Sequence, residues 1–177
     1  MSHDAPHAHR AYAPEKLRCA ILTVSDSRDA KSDSSGAAIE AALGAAGHTI
    51  ALREILRDDR AAIHDWVLRC VARPDIDAVL VTGGTGVSPR DQTIEAIEPL
   101  LQRQLPGFGE LFRALSFEEI GPAAMLSRAL AGTVERTAVF VMPGSRGAVK
   151  LALERLIVPE LPHLIGQLRR TDPPPGG

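Results

Sequence analysis

The sequence is poor in aromatic residues and in cysteine. Aromatics make up 3% of its 177 residues and cysteine occurs twice, whereas 45% of the residues are apolar. An apolar share of this size excludes disorder for the bulk of the chain, and it predicts a core built from Leu, Ile, Val and Ala. At roughly 150 residues per domain, the length predicts one domain and makes a second full domain improbable.

The sequence also lacks an excess of charge and any long apolar run. Twenty Lys and Arg stand against 22 Asp and Glu, which gives a net charge of −2, and no long basic run is present. A nucleic-acid partner is therefore not expected, because such proteins carry a concentrated positive surface. Apolar runs such as 76–82 are far shorter than the roughly 20 residues that span a bilayer, so no membrane partner is expected either.

Cys19 and Cys70 do not form a C-x-x-C pair. This spacing argues against a zinc site and predicts two buried, unreactive thiols. The first 14 residues contain no apolar stretch typical of a secretory signal. These features predict a cytoplasmic protein with one domain at 17–169, between flexible tails at 1–16 and 170–177 that are rich in His, Ala, Pro and Gly.

Apolar runs of strand length alternate with segments of helical periodicity between the two tails. This alternation predicts an α/β fold, a three-layer αβα arrangement with a mainly parallel sheet covered on both faces. The predicted strands are 17–24, 48–56, 76–82 and 137–142. The predicted helices are 34–46, one that begins after the aspartates at 58 and 59, 145–158, and a last helix after a break at Pro159. The stretch 91–132 contains several prolines and glycines and is interpreted as an insertion of short helices.

Glycine and polar residues follow the predicted strands, where ligands bind in an open α/β sheet. They are Ser25 and Asp26 after the first strand, Asp58 after the second, Gly83, Gly84, Thr85, Gly86, Ser88 and Asp91 after the third, and Pro143, Gly144 and Ser145 after the fourth. The glycines let the backbone turn sharply and expose N–H groups to a phosphate or a polar ring, although a tight turn without a ligand explains them too. Neither G-x-G-x-x-G nor a G-K-[ST] motif is present, which argues against a dinucleotide fingerprint and a P-loop.

The acidic residues near this glycine loop have two interpretations. Asp91, Asp58 and Asp59 are candidate Mg²⁺ ligands, because carboxylates beside a phosphate loop are the oxygen donors that this ion takes. Alternatively, Asp58 or Asp59 caps the helix that follows. Ser145 is either a residue of the ligand-binding loop or only the N-cap of the next helix. The scattered histidines lack a partnering nucleophile motif, so a catalytic triad has no basis in the sequence.

Three of the four phenylalanines cluster in the irregular stretch, at Phe108, Phe112 and Phe117. Such a cluster forms a stacking platform for a ligand, a small satellite core or a subunit interface. The sequence by itself does not choose among the three.

Five motifs follow one another in a familiar order. They are Thr82-Gly83-Gly84-Thr85-Gly86 with Asp91, then Pro106-Gly107-Phe108-Gly109-Glu110, Leu126-Ser127-Arg128, Ala131-Gly132 and Met142-Pro143-Gly144-Ser145. From about residue 18 to residue 168 the chain resembles the MoaB/MogA family of molybdopterin-binding proteins, and the stretch 115–121 is closer to the MoaB branch. The resemblance implies a mainly parallel α/β fold, trimers that can pair as hexamers, and a role in molybdenum cofactor biosynthesis.

The resemblance also implies a ligand and a site. MogA-like proteins use Mg-ATP to adenylylate molybdopterin, and some MoaB-like proteins resemble them in this. Asp91 and Asp58 match the acidic positions associated with catalysis and with the metal, and Ser25 and Asp26 are assigned to cofactor binding. The residues assigned to the substrate are Gly83, Gly84, Thr85, Gly86, Ser88, Pro106, Gly107, Phe108, Glu110, Ser127, Arg128, Pro143, Gly144 and Ser145.

Two other functions are compatible with this pattern to different degrees. A non-catalytic molybdopterin-binding or carrier protein would use the same pocket without turnover. A receiver-like signalling domain needs an acidic pair after the first strand, an Asp after the third and a Lys after the last, and this chain lacks that set. In the enzyme reading, Arg90 or Arg128 would offset the charge on the reacting phosphates.

Overall fold

A computed structural model describes residues 13–170. The predicted flexible tails lie largely outside the described residues. The strands are β1 (Arg18–Val24), β2 (Thr49–Leu56), β3 (Ala78–Thr82), β4 (Arg103–Gln104), β5 (Leu130–Val134) and β6 (Thr137–Met142). The helices are α1 (Ser34–Ala45), α2 (Arg60–Val71), α3 (Thr93–Ile97), α4 (Pro106–Ile120), α5 (Arg146–Ala152) and α6 (Val158–Arg169), with 3₁₀ turns at Glu98–Leu100 and Gly121–Leu126 and a π turn at Leu153–Ile157.

The strands form one sheet in the order β2-β1-β3-β6-β5-β4. The first four are parallel, whereas β5 runs antiparallel to β6 and β4 antiparallel to β5. Alternate residues of a buried strand face opposite layers. Ile21 of β1 accordingly packs in the core beneath α1 and α4 to α6, and Leu22 packs on the other face with Trp66 of α2. The predicted three-layer, mainly parallel α/β fold is confirmed.

The antiparallel end of the sheet differs from the prediction of short helices at 91–132. β5 has the sequence Leu-Ala-Gly-Thr-Val and joins β6 through a tight hairpin in which Glu135 has a φ of 51°. A Cβ at Gly132 would lie 2.5 Å from the carbonyl oxygen of Arg103 on β4. Gly132 is therefore needed for the close approach of two strands.

The helical segment after β6 also differs from the prediction of a break at Pro159. The N–H of Val158 donates to the carbonyl of Leu153 across the π turn, so α5 continues into α6 without interruption. Pro159 falls in the first turn of α6. Proline is tolerated there because the first N–H groups of a helix need no intrahelical partner.

The phenylalanine cluster divides between the core and the surface. Phe108 and Phe112 are buried in the main core, and the ring of Phe108 contacts that of Phe140 edge to face with centroids 5.4 Å apart. Phe117 is 59% exposed. Core packing thus explains two members of the cluster, and of the three only Phe117 retains a largely exposed ring for a subunit contact.

Both cysteines are buried and not in a disulfide. Burial raises the pKa of Cys19 to about 12, with a smaller contribution from Asp77, and it raises the pKa of Cys70 to about 11. The prediction of buried, unreactive thiols is confirmed. Among residues 13–170, no helix has the length and apolar character required to cross a membrane.

Candidate functional site

A cleft of about 480 Å³ lies at the carboxyl ends of β1, β3 and β6. Parallel strands bring their carboxyl ends to the same edge of a sheet, so the loops that follow them meet there. The lining residues are Thr23, Val24, Ser25, Ser27, Arg28, Thr82, Gly83, Gly84, Thr85, Gly86, Asp91, Ala123, Leu126, Ser127, Pro143 and Gly144. Three of the four predicted loops therefore share one cavity.

In the glycine loop after β3, residues 83–86, a side chain in place of any of the three glycines would collide with neighbouring atoms of the chain. Gly83 has a φ of 95° and Gly84 a φ of 61°, a region that favours glycine. A Cβ at Gly83 would lie 2.2 Å from the carbonyl oxygen of Val24, and one at Gly86 would lie 2.7 Å from Oδ2 of Asp91. Glycine is therefore required here by the chain's own packing, and the loop presents its backbone to the cleft.

Asp91 is the one carboxylate among the described residues that line the cleft. Its Oδ2 accepts a hydrogen bond from the backbone N–H of Ser88 at 3.0 Å. This bond closes the turn between the glycine loop and α3 and fixes the carboxylate at the mouth of the site. Ser88 itself is exposed and does not line the cleft.

Asp58 lies behind the glycine loop and is not among the lining residues. Its Oδ1 accepts from the N–H of Gln92 at 3.0 Å, and its Oδ2 occupies the space beside Gly84. Burial raises the pKa of Asp58, and the neighbouring charges of Asp91 and Asp26 raise it further. A perturbed carboxyl group at a cleft is typical of functional sites, although structural networks produce the same effect.

The residue that caps the helix after β2 is Asp59 and not Asp58. Asp59 caps α2, because its carboxylate accepts from the N–H of Ala62 at 2.8 Å. The carboxylate of Asp58 instead contacts the loop after β3, at Gln92 and beside Gly84. Ser145 caps α5 through its hydroxyl, which accepts from the N–H of Ala148 at 3.2 Å, and it does not line the cleft.

The carboxylates fit the donor chemistry of Mg²⁺. This ion binds proteins through one or two carboxylates and completes its shell with waters and substrate phosphates. Within residues 13–170 no group of three or more His, Cys, Asp or Glu side chains could hold a metal ion. Asp91, with Asp58 adjacent, thus matches a site that a nucleotide would complete, and it does not match a metal cage built by protein alone.

The two arginines predicted to offset phosphate charge are both engaged with the protein. Arg128 donates from Nε to the carbonyl of Thr85 at 2.9 Å and from Nη2 to that of Gly86 at 2.5 Å. Its Nη1 donates to Glu95, which lowers the pKa of that carboxyl. Arg128 therefore holds the glycine loop in place. Arg90 is 80% exposed and pairs with Asp26 at 2.6 Å outside the cleft.

The remaining predicted residues fall in two places. Ser25, Ser127, Pro143 and Gly144 line the cleft, whereas Asp26 is exposed beside it. Pro106, Gly107, Phe108 and Glu110 do not line it. α4 begins next to the antiparallel strands, where the N–H of Leu105 bonds to the carbonyl of Ala131, and this draws Phe108 into the core. The structure therefore does not meet the expectation that these four residues share the pocket of the glycine loop.

Arg28 and Ser35 belong to the site but were not predicted from the sequence. Arg28 lines the cleft and donates from Nη1 to the hydroxyl of Ser35 at 2.7 Å. That hydroxyl donates in turn to the carbonyl oxygen of Gly144 at 2.9 Å. The sequence offered one indication of their role: Arg28 lies in the loop that follows β1, which was expected at the site, and Ser35 lies just after that loop.

Asp33 is a third unpredicted residue of the same region. It is buried at the start of α1 and accepts from the N–H of Gly36 at 2.8 Å. Burial opposes its ionisation, but hydrogen bonds from Arg53 and Gly36 outweigh this and hold the pKa of Asp33 below its ordinary value. The ionised carboxylate fixes the beginning of α1, and thereby Ser35.

The fold and the cleft define an α/β protein with a candidate ligand site at the carboxyl edge of a mainly parallel sheet. Residues 20–163 match the family model described as "Probable molybdopterin binding domain". The chain therefore belongs to the molybdopterin-binding domain family.

Proteins similar to this chain over most of its length carry one recurring name. "Molybdenum cofactor biosynthesis protein B" of Bacillus anthracis and that of Bacillus subtilis are each 50% identical over 163 residues, covering 92% of this chain and 96% of the relative. A crystal structure of a protein with the same name has a TM-score of 0.86 at 49% identity and covers 88% of this chain and 98% of its own. The tungsten cofactor synthesizing protein MoaB from Pyrococcus furiosus has a TM-score of 0.80 at 37% identity, covering 89% and 100%.

Proposed function

We propose that this chain binds molybdopterin in the cleft and transfers the adenylyl group of ATP to the terminal phosphate of the pterin. Family membership supports the choice of ligand. The observation that carries the choice of reaction is the carboxylate of Asp91, which lines the cleft beside the glycine loop. A carboxylate opposes the binding of an anionic ligand unless it holds a cation, so its place in a phosphate site calls for a metal-bound nucleotide.

The reaction asks little covalent chemistry of the protein. A phosphate oxygen of molybdopterin attacks the α-phosphorus of ATP, and the bond to the bridging oxygen breaks as pyrophosphate leaves with its electron pair. The attacking phosphate is already anionic at neutral pH, so it needs no general base. What the chain supplies is alignment of the two substrates and dipoles aimed at the charge that develops.

Each part of the site has a separate task in this proposal. The backbone of the glycine loop holds the pterin side, and Arg128 keeps the loop rigid by binding its carbonyls. Asp91, with Asp58 adjacent, would hold Mg²⁺, which supplies charge neutralisation on the nucleotide phosphates when bound. Asp58 also positions the segment after Asp91 by accepting the N–H of Gln92.

The decisive experiment is incubation of the purified protein with molybdopterin and Mg-ATP, with detection of adenylylated pterin and pyrophosphate. The variant Asp91→Asn keeps the size of the side chain and removes its charge. We expect pterin binding to persist and adenylylation to fall on the order of 10² to 10³-fold, the typical loss when one electrostatic contribution is removed. Asp65→Asn is the matched control, because Asp65 is an exposed carboxylate on α2.

Three outcomes have distinct meanings. Loss of product in Asp91→Asn but not in Asp65→Asn supports the enzyme. Product formation at the parent rate by Asp91→Asn contradicts the metal role. Tight pterin binding without any product from the parent protein establishes the non-catalytic carrier instead, and Asp91 is then a wall of the pocket.

A further inference from the structure

The cleft contains one cationic side chain among the described residues, and it is Arg28. Arg90 is paired outside the cleft, and the donors of Arg128 point at carbonyls of the loop and at Glu95. A ligand that ends in a phosphate carries close to two negative charges. Backbone N–H groups offset part of this charge, but a guanidinium is the side chain whose geometry matches a phosphate in two parallel hydrogen bonds.

Arg28 is held in a defined orientation by a short relay. Ser35 is fully buried in the first turn of α1, and its hydroxyl both accepts from Nη1 of Arg28 and donates to the carbonyl of Gly144. A hydroxyl has one proton to donate, and the carbonyl of Gly144, in the loop after β6, takes it. The lone pairs of the hydroxyl are therefore left to accept from the arginine in a fixed direction. In the described part of the chain this is the one hydrogen bond that the Arg28 guanidinium makes, so most of its five donors remain available to a ligand in the cleft that Arg28 lines.

The relay also places Arg28 relative to the glycine loop. Gly144 approaches Gly83 so closely that a Cβ on Gly144 would lie 3.1 Å from the Cα of Gly83. The hydrogen bonds of Arg28 lead through Ser35 to Gly144, which packs against Gly83 at the start of the loop, whereas Asp91 lies against its last glycine, Gly86. The cation and the carboxylate of the cleft are thus connected to opposite ends of one loop, which offers separate places for a bare phosphate and for a metal-bound one.

We propose that Arg28 binds the terminal phosphate of the pterin, and that Ser35 is the positioning residue that aims it. The inference rests on the proposed function and deepens it, because it assigns the phosphate end of the ligand to the β1 side of the cleft. The nucleotide phosphates then approach from the Asp91 side, and the two substrates meet over the glycine loop.

The test compares molybdopterin with the same pterin lacking its terminal phosphate. Dissociation constants are measured for the parent protein, Arg28→Ala, Arg28→Lys, Ser35→Ala and the control Arg69→Ala, which removes an exposed arginine from α2. We expect Arg28→Ala to weaken molybdopterin binding by roughly 10- to 100-fold, the range for a hydrogen bond to a charged group. Binding of the dephosphorylated pterin should change less than about twofold in every variant.

The conservative variants separate charge from geometry. Arg28→Lys keeps the charge but not the fork, so its affinity for molybdopterin should lie between those of the parent and Arg28→Ala. Ser35→Ala should raise the KM for the pterin with little change in the KM for ATP, since it loosens the aim of Arg28 and removes no charge. The midpoint of thermal unfolding of each variant reports whether the fold is retained.

Each contrary result is distinguishable. Equal weakening of both pterins by Arg28→Ala would show a purely structural arginine and overturn the proposal, as would a rise confined to the KM for ATP. Unchanged affinity for molybdopterin in Arg28→Ala overturns it as well. Failure of the parent protein to bind either pterin instead contradicts the proposed function from which this inference starts.

Discussion

The structure allows us to work out how one added methyl group at Gly84 changes the free energy of unfolding. An alanine there keeps a φ of 61°, which costs an L-residue about 1–2 kcal/mol. Its Cβ would lie 2.2 Å from Oγ1 of Thr93 and 2.4 Å from Oδ2 of Asp58, so both must shift. Overpacking of this kind costs about 1–3 kcal/mol. Gly84→Ala should therefore lower the free energy of unfolding by about 2–5 kcal/mol.

Two other glycines supply the controls. Gly47 has a φ of 85° with no atom within 4 Å of an added Cβ, so Gly47→Ala should show the conformational cost alone, about 1–2 kcal/mol. Gly147 lies within α5, has open space around an added Cβ and has no positive φ. Gly147→Ala should stabilise the protein by about 0.5–1 kcal/mol, because alanine loses less backbone entropy in a helix.

The assay is urea unfolding followed by circular dichroism, with molybdopterin binding measured on each folded variant. The expected order of stability is Gly147→Ala, parent, Gly47→Ala and then Gly84→Ala. Gly84→Ala should also weaken pterin binding, since displacing Asp58 moves the loop that the carboxylate supports. If Gly84→Ala were no less stable than Gly47→Ala, the close approach of Asp58 and Thr93 to the loop would be refuted.

Two further predictions concern features away from the cleft. His48 is buried, both of its ring nitrogens lack a hydrogen-bond partner among the described residues, and burial lowers its pKa against the opposing effect of Asp77. The unfolded chain then binds a proton at His48 more readily than the folded chain does. The free energy of unfolding should therefore fall as the pH drops below about 6.5. Urea unfolding between pH 7 and pH 5 should show a weaker pH dependence for His48→Leu than for the parent protein. We also propose the threefold-symmetric oligomer that the resemblance to the MoaB/MogA family implies, with Phe117 and Met125 in the contact, because they are 59% and 81% exposed and line one apolar surface depression. Sedimentation velocity should show a trimer or hexamer that Phe117→Asp dissociates, and a parent protein that is monomeric at all micromolar concentrations contradicts the proposal.

Three of the four parallel strands could be predicted because they are buried almost throughout. β1, β3 and β6 are continuous apolar runs, and such runs are typical of strands covered on both faces. β5 gave no such signal, since it contains Gly132, which has a low strand propensity but permits the close approach of β4. Pro159 misled the prediction for a different reason, because a preceding π turn places it where a missing N–H has no cost.

The position of the site could be predicted more easily than the task of each side chain. Strand ends fix where loops meet, so the sequence indicates that the glycine loop and Asp91 share an edge of the sheet. It does not indicate where a long side chain goes. The sequence alone does not distinguish Arg28 from Arg128. In the structure Arg28 lines the cleft, whereas Arg128 donates its hydrogen bonds to backbone carbonyls of the glycine loop.

The bonds from Arg128 to Thr85 and Gly86 have a dynamic consequence, because this arginine lies two residues before β5. Any local opening that detaches the antiparallel edge of the sheet withdraws Arg128 and releases the loop, so the two regions should open as one cooperative unit. A ligand that binds only the closed loop then slows amide exchange in β5, on strands that it does not touch. Binding of a ligand in the cleft would thus be detectable as slower amide exchange in the antiparallel part of the sheet.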